Sequence, residues 1–141
     1  MHPYVSIFYP AITLVLMTYV VAVALFRGRT VGMRRHRARM QELTDNARFE
    51  EIFKTSETIA ENFENLFEIP VLFYFFTVVV FVTGTVDPIY LWGSWIFVAT
   101  RAVHSWIHCT SNQVPARFAA YATGALLLLS MWVRLAAQLL A

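Results

Sequence analysis

Cysteine is almost missing from this chain, with Cys109 standing alone. No intrachain disulfide can form, and no CxxC pair exists to hold a metal or to cycle between redox states. Charge is scarce as well: charged residues make up 14% of the sequence, against roughly 25% in soluble proteins. Internal repeats, low-complexity tracts and long linkers are absent, so the 141 residues read as a single domain, 1–141. The opening run Met1–Phe26 has no basic n-region, and its positive charges follow it. That order points to a retained first helix rather than a cleaved signal peptide.

What the chain has in excess is apolar surface. It is 58% hydrophobic and 16% aromatic, more than a water-soluble fold of this size can hide, whereas a bilayer accepts it. A helix needs roughly 20 apolar residues to cross about 30 Å of hydrocarbon. Four stretches meet that need: Tyr4–Phe26, Leu66–Val86, Ile89–Ile107 and Ala116–Leu140. Gly84–Pro88 and Cys109–Pro115 are short connections, which make consecutive helices antiparallel. The expected fold is all-α, an up-down bundle of four transmembrane helices.

Six of the eleven basic residues, Arg27, Arg29, Arg34, Arg35, Arg37 and Arg39, fall within 27–39, beside His36. A basic cluster can bind nucleic acid, but this one abuts a span-length apolar run and lacks interleaved aromatics. It reads as a topogenic loop. By the positive-inside rule it is cytoplasmic, which places both termini on the non-cytoplasmic side. Tyr90, Trp92 and Trp132 then suit an interfacial aromatic belt. Thr44, Asp45 and Asn46 are candidate N-caps for a second helix that meets no breaker before Pro70. Read continuously to Thr83, that helix is about 58 Å long, with roughly half of it outside the lipid.

Ionisable residues inside a span cost roughly 2.5–3.5 kcal/mol, so they face the bundle interior and find partners. Placed at about 100° per residue, Glu57, Glu61, Glu64, Asn65 and Glu68 share one arc of the second helix. Ser94, Arg101, His104, Ser105 and His108 form a stripe on the third, and Arg117, Tyr121 and Gly124 align on the fourth. In the topology above, all three stripes converge at the cytoplasmic third of the bundle, where a polar pocket with apolar walls is expected. Glu68 and Arg101 are expected to pair across the second and third spans. Asn65 serves either as glue between helices or as a ligand contact. Arg117 is either an interfacial anchor or a pocket cation, and Tyr121 either a packed aromatic or a pocket hydroxyl. His104 and His108 share a face at i, i+4, but no third ligand accompanies them, so no metal is expected.

At these residues the chain resembles the membrane-associated proteins in eicosanoid and glutathione metabolism (MAPEG), as a divergent, prokaryotic-type member. The family's second-helix signature is similar to Asn65–Leu66–Phe67–Glu68–Ile69–Pro70. Its third-helix pattern Arg-x-x-His-x-x-x-Tyr resembles Arg101–Ala102–Val103–His104–Ser105–Trp106–Ile107–His108. Its Pro-x-Arg-x-x-x-Tyr pattern resembles Pro115–Ala116–Arg117–Phe118–Ala119–Ala120–Tyr121. The likeness implies a homotrimer in a bacterial inner membrane that binds glutathione between subunits. The implied activity is transferase or peroxidase chemistry on a lipophilic small molecule, with no nucleic acid involved. It further implies Arg117 and Tyr121 as the catalytic groups at the thiol, with Asn65, Glu68, Arg101, His104 and His108 holding the glutathione cofactor. Three departures bear on this. Glu61 and Glu64 stand where active relatives carry carboxylate-binding arginines, His108 replaces the third-helix Tyr, and Phe118 follows the fourth-helix Arg. A non-catalytic accessory protein that keeps the scaffold, or a binder of some other ligand, are the alternatives.

Overall fold

The structure, a computed structural model, describes residues 3–140 and contains only helices among them. A 3-10 turn at Pro3–Ile7 leads into α1 (Phe8–His36). There follow α2 (Asn46–Phe53), α3 (Glu57–Asn65), α4 (Ile69–Val82), α5 (Pro88–Cys109) and α6 (Val114–Leu140). The stretches Tyr4–His36, Asn46–Val82 and Val114–Leu140 are long and apolar enough to cross a membrane. The 22-residue α5 is not among them, because its buried face carries Arg101, His104 and His108. At about 33 Å it has the length to span, and its polar stripe is turned inward.

The arginine cluster is not a loop. α1 continues through His36 and ends at Arg37, which adopts a left-handed conformation (φ 49°) and donates its amide to the Arg34 carbonyl. Arginine is a strong helix former, and cations in a last turn oppose the negative end of the helix dipole. The extension packs on the second segment: the Arg29 guanidinium lies 5.4 Å from the Phe49 ring and 5.1 Å from the Phe53 ring. Gly32 makes the crossing possible, because an added Cβ would sit 2.5 Å from the Ile52 carbonyl oxygen. Gly32→Ala should therefore lower the melting temperature, at a cost of about 1–3 kcal/mol. Gly93→Ala, which meets the flexible Met131 side chain, should cost less in the same scan.

The second helix is not continuous either. Asp45 caps α2 by accepting from the Ala47 amide at 3.1 Å. A 3-10 turn at Lys54–Ser56 then separates α2 from α3, and the chain turns again between Asn65 and Ile69. Pro70 accounts for the second break. Its ring clashes with the carbonyl four residues back, that of Leu66, and it offers no amide to the ladder. It sits in the first turn of α4, where a missing amide is tolerated. Hydroxyls of Thr18 and Thr77 bond back to carbonyls one turn earlier, which keeps their polar atoms paired inside the apolar helices.

The core lies where α4, α5 and α6 meet the start of α1, among Ile7, Leu14, Phe73, Phe76, Phe97 and Leu135. Phe73 and Phe97 stack at 4.6 Å between ring centres. Tyr90, expected at the interface, is instead fully buried, edge-on to Phe76 at 5.4 Å. It is drawn inward because its hydroxyl donates to the Gln138 carbonyl oxygen at 2.5 Å and Arg134 covers its ring at 4.3 Å. Trp92 remains 67% exposed.

At this end Asp87 caps α5 through the Tyr90 amide (2.9 Å) and pairs with Arg134. Burial alone would raise the Asp87 carboxyl, but the bonds from Arg134 and the Tyr90 amide outweigh it and hold it below the usual range. The pair's contribution is complete above the unfolded carboxyl's pKa of about 3.9 and is lost as pH falls through the lower folded value. Asp87→Ala should cost about 1–2 kcal/mol near neutral pH. In denaturation curves the gap from the unaltered protein should close as pH drops below about 3.9.

Candidate functional site

Three elements bring polar side chains to the opposite end of the bundle from Asp87. The last turn of α3 carries Glu61 and Asn65, the second half of α5 carries Arg101, His104 and His108, and the start of α6 carries Arg117 and Tyr121. The four-residue connection 110–113 folds α6 back against α5, so residues nine to thirteen apart become neighbours. A cleft of about 180 Å3 opens among Asn65, His104, Val114, Arg117, Phe118 and Tyr121.

Arg117 is the best-anchored group in it. One guanidinium nitrogen donates to His108 Nε2 at 3.0 Å and to Asn112 Oδ1 at 2.8 Å. Glu61 Oε2 lies 3.8 Å from that nitrogen and 3.8 Å from His108 Nε2. These bonds fix the tautomers. His108 Nε2 must hold a lone pair to accept from a guanidinium, and His104 Nδ1 must carry its proton to donate to the Arg117 carbonyl at 3.1 Å. His108 is therefore neutral, and so is His104, because a second proton on its Nε2 would be buried without an acceptor; the two neutral rings sit 5.5 Å apart without repulsion. The outer nitrogens, His104 Nε2 and His108 Nδ1, have no hydrogen-bond partner, although the residues are only 3% and 1% exposed.

Arg101 lies behind this layer, 1% exposed, with its guanidinium 5.0 Å above the Tyr121 ring. The Glu68 carboxylate expected to pair with it stands off: exposed at the α3–α4 turn, Glu68 acts on Arg101 through its charge but closes no ion pair among the described residues. The chain turns there under Pro70, so a residue that would share the arc of a straight helix is carried off it. All three guanidinium nitrogens of Arg101 lack hydrogen-bond partners. Asn65 bonds within its own helix, Nδ2 to the Glu61 carbonyl at 2.9 Å, and forms no hydrogen bond to another helix among the described residues. Glu57, Glu61 and Glu64 all stand exposed on α3.

Two residues of this region went unnoticed in the sequence. Asn112 adopts φ 47°, the left-handed conformation that asparagine tolerates just past a helix end. Its place at the end of the α5 pattern was a signal for the turn, though not for the bond to Arg117. Asn62 is fully buried in α3, and its amide nitrogen lies 3.4 Å from Cys109 Sγ; nothing in the spacing separates it from Glu61 or Asn65. No group of three His, Cys, Asp or Glu that could hold a metal ion is present among the described residues. A separate, apolar pocket of about 280 Å3 lies between α1 and the α3–α4 turn, walled by Tyr19, Phe63, Leu66, Phe67 and Tyr74.

Compared with known protein families, residues 3–137 match the family model described as the MAPEG family. Among curated proteins and among solved structures, none matches.

Proposed function

The chain belongs to the MAPEG family, and from that premise we propose that it is a glutathione-dependent transferase or peroxidase of the membrane, acting on a lipophilic co-substrate at the cytoplasmic side. The observation that carries this reading is Arg117, held by His108 and Asn112 at the edge of a cleft that Asn65, His104 and Tyr121 also line. Glutathione, once bound, supplies a thiol that adds to an electrophile or reduces a peroxide. The chain's part is to favour the thiolate, since a fixed cation lowers the pKa of a neighbouring thiol. Arg117 provides that cation, and Tyr121 offers a hydroxyl on the same helix face.

The residues fit a peptide thiol with carboxylates in two respects. His104 Nε2 is an unpartnered acceptor at the cleft, and Arg101 is an orphaned cation behind it. Asn65, Arg101, His104 and His108 shape the pocket in this reading, with Glu68 at its margin. The apolar pocket beside the α3–α4 turn offers room for the lipophilic molecule. We place the Arg27–Arg39 end in the cytoplasm, both termini outside, and the protein in an inner membrane as a homotrimer.

The test is turnover in proteoliposomes given glutathione with a lipophilic aryl halide or an alkyl hydroperoxide. Consumption above that of protein-free vesicles, with thermal stabilisation by millimolar glutathione, is the expected result. No acceleration and no thermal shift would sink it. A second reading, a non-catalytic subunit that keeps the scaffold, is favoured by one contact: the Glu61 carboxylate partly neutralises Arg117. Stable co-purification with a larger complex, without response to glutathione, would support it.

A further inference from the structure

Glu61 is a carboxylate placed among cation-binding partners without being consumed by them. Its Oε2 stands 3.8 Å from the Arg117 guanidinium, close enough to feel its charge and too far to hydrogen-bond, and 3.8 Å from the neutral His108 Nε2. Its side chain is 52% exposed, and it takes no hydrogen bond from any described side chain. Arg117 meanwhile commits one guanidinium nitrogen to His108 and Asn112, which fixes the group and leaves its other donors for a ligand. Around one cleft there is thus a cation with fixed geometry and, beside it, an anion with all its acceptor sites spare.

A ligand carrying only negative charge would meet Glu61 at its own approach to Arg117. At that separation two like charges repel, which offsets part of what Arg117 attracts. A zwitterionic ligand escapes that conflict if its ammonium falls on Glu61 while its anionic part faces Arg117. His104 gives independent support for a polar occupant. It is 3% exposed, lines the same cleft, and its Nε2 lone pair has no partner, so it awaits a donor.

We propose that Glu61 is a specificity-determining residue that pairs with the ammonium group of the thiol co-substrate, so that the site selects ammonium-bearing thiols and rejects purely anionic ones. This rests on the thiol reading of the Arg117 cleft. Glu64, exposed on the same helix, adds a second negative charge to that segment.

The experiment compares the binding of glutathione with that of N-acetylated glutathione, whose ammonium is replaced by a neutral amide, by calorimetry on the full-length protein in detergent. The unaltered protein should bind the acetylated thiol about tenfold more weakly. Glu61→Gln should bring that ratio close to one, chiefly by weakening glutathione itself. Because Glu61 is exposed, the variant should fold, and its ligand-free melting curve checks that it does. Equal affinity for the two thiols in the unaltered protein, or a preference that survives Glu61→Gln, would overturn the assignment while leaving the thiol reading intact. Failure of both thiols to bind would overturn the two together.

Discussion

Arg101→Met should raise the melting temperature of the ligand-free protein and at the same time abolish its stabilisation by glutathione. The first half follows from the guanidinium's surroundings. It is 1% exposed, and none of its three nitrogens finds a hydrogen-bond partner. Burying an ion without a partner costs several kcal/mol even after relaxation. The compensation in view is the Tyr121 ring at 5.0 Å, worth about 2 kcal/mol when desolvated, and the more distant charge of Glu68; burial is the larger effect, so the penalty wins. Methionine fills similar space without charge, and replacing a poorly satisfied buried ion in this way stabilises by about 1–4 kcal/mol. The second half follows because Arg101, behind the cleft, is a cation with no hydrogen-bonded acceptor among the described residues. Thermal melts with and without glutathione read both effects. A lower melting temperature would show that a group from outside the chain meets Arg101 in the assembled protein, and a retained glutathione response would remove Arg101 from the site.

The apolar runs made the four-helix architecture legible, and the reason is energetic: no arrangement in water hides so much hydrophobic surface, and period and length do the rest. The stripes were legible for a related reason. A charge inside a span is costly wherever it faces lipid, so Ser94, Arg101, His104, Ser105 and His108 had to share the buried face of α5, and all five are buried. What the pattern could not give was the course of the second segment. A straight helix from Asp45 to Thr83 places Glu68 on the arc of Glu61 and Glu64, opposite Arg101. Pro70 acts four residues upstream of itself, on the Leu66 carbonyl, and moves Glu68 out to the turn. The arginine run misled in the other direction. Charge density was read as a loop, although arginine itself favours helix and the helix dipole rewards it there.

Side-chain partners were the least legible layer. Glu61 looked like a group that would repel the ligand's anions. In the structure it also meets Arg117 and His108, which a helical wheel cannot show because the three lie on different helices. Tyr90 looked amphipathic enough for the interface and is buried instead, since Gln138, almost fifty residues on, satisfies its hydroxyl. Partners this far apart in sequence depend on how α5 and α6 register against each other. That register is set by the close approaches at Gly93 and Gly124, which no local pattern encodes.

Arg117→Met should produce the largest functional loss, about 10²–10³-fold in glutathione-dependent turnover near neutral pH. Among the described residues, the guanidinium is the only cation lining the cleft, and its position is fixed from two sides, by His108 and by Asn112. A thiol placed beside it ionises below its ordinary pKa of about 8.5, so more of it is thiolate at neutral pH. Without the cation the bound thiol's pKa climbs back, and the reactive fraction at fixed pH falls. Two readouts separate this from simple misfolding. The ultraviolet absorbance of bound thiolate should titrate at higher pH in the variant, and the lost turnover should return partly as the pH is raised. Arg117→Lys should recover less than a full charge would suggest, because an ammonium is a mobile point charge and cannot reproduce the guanidinium fork. A loss that stays constant across pH, with an unmoved thiolate titration, would show that Arg117 positions the ligand rather than ionising it. Arg117 would then be an anchor, and the thiolate would have to be held by another group such as the hydroxyl of Tyr121.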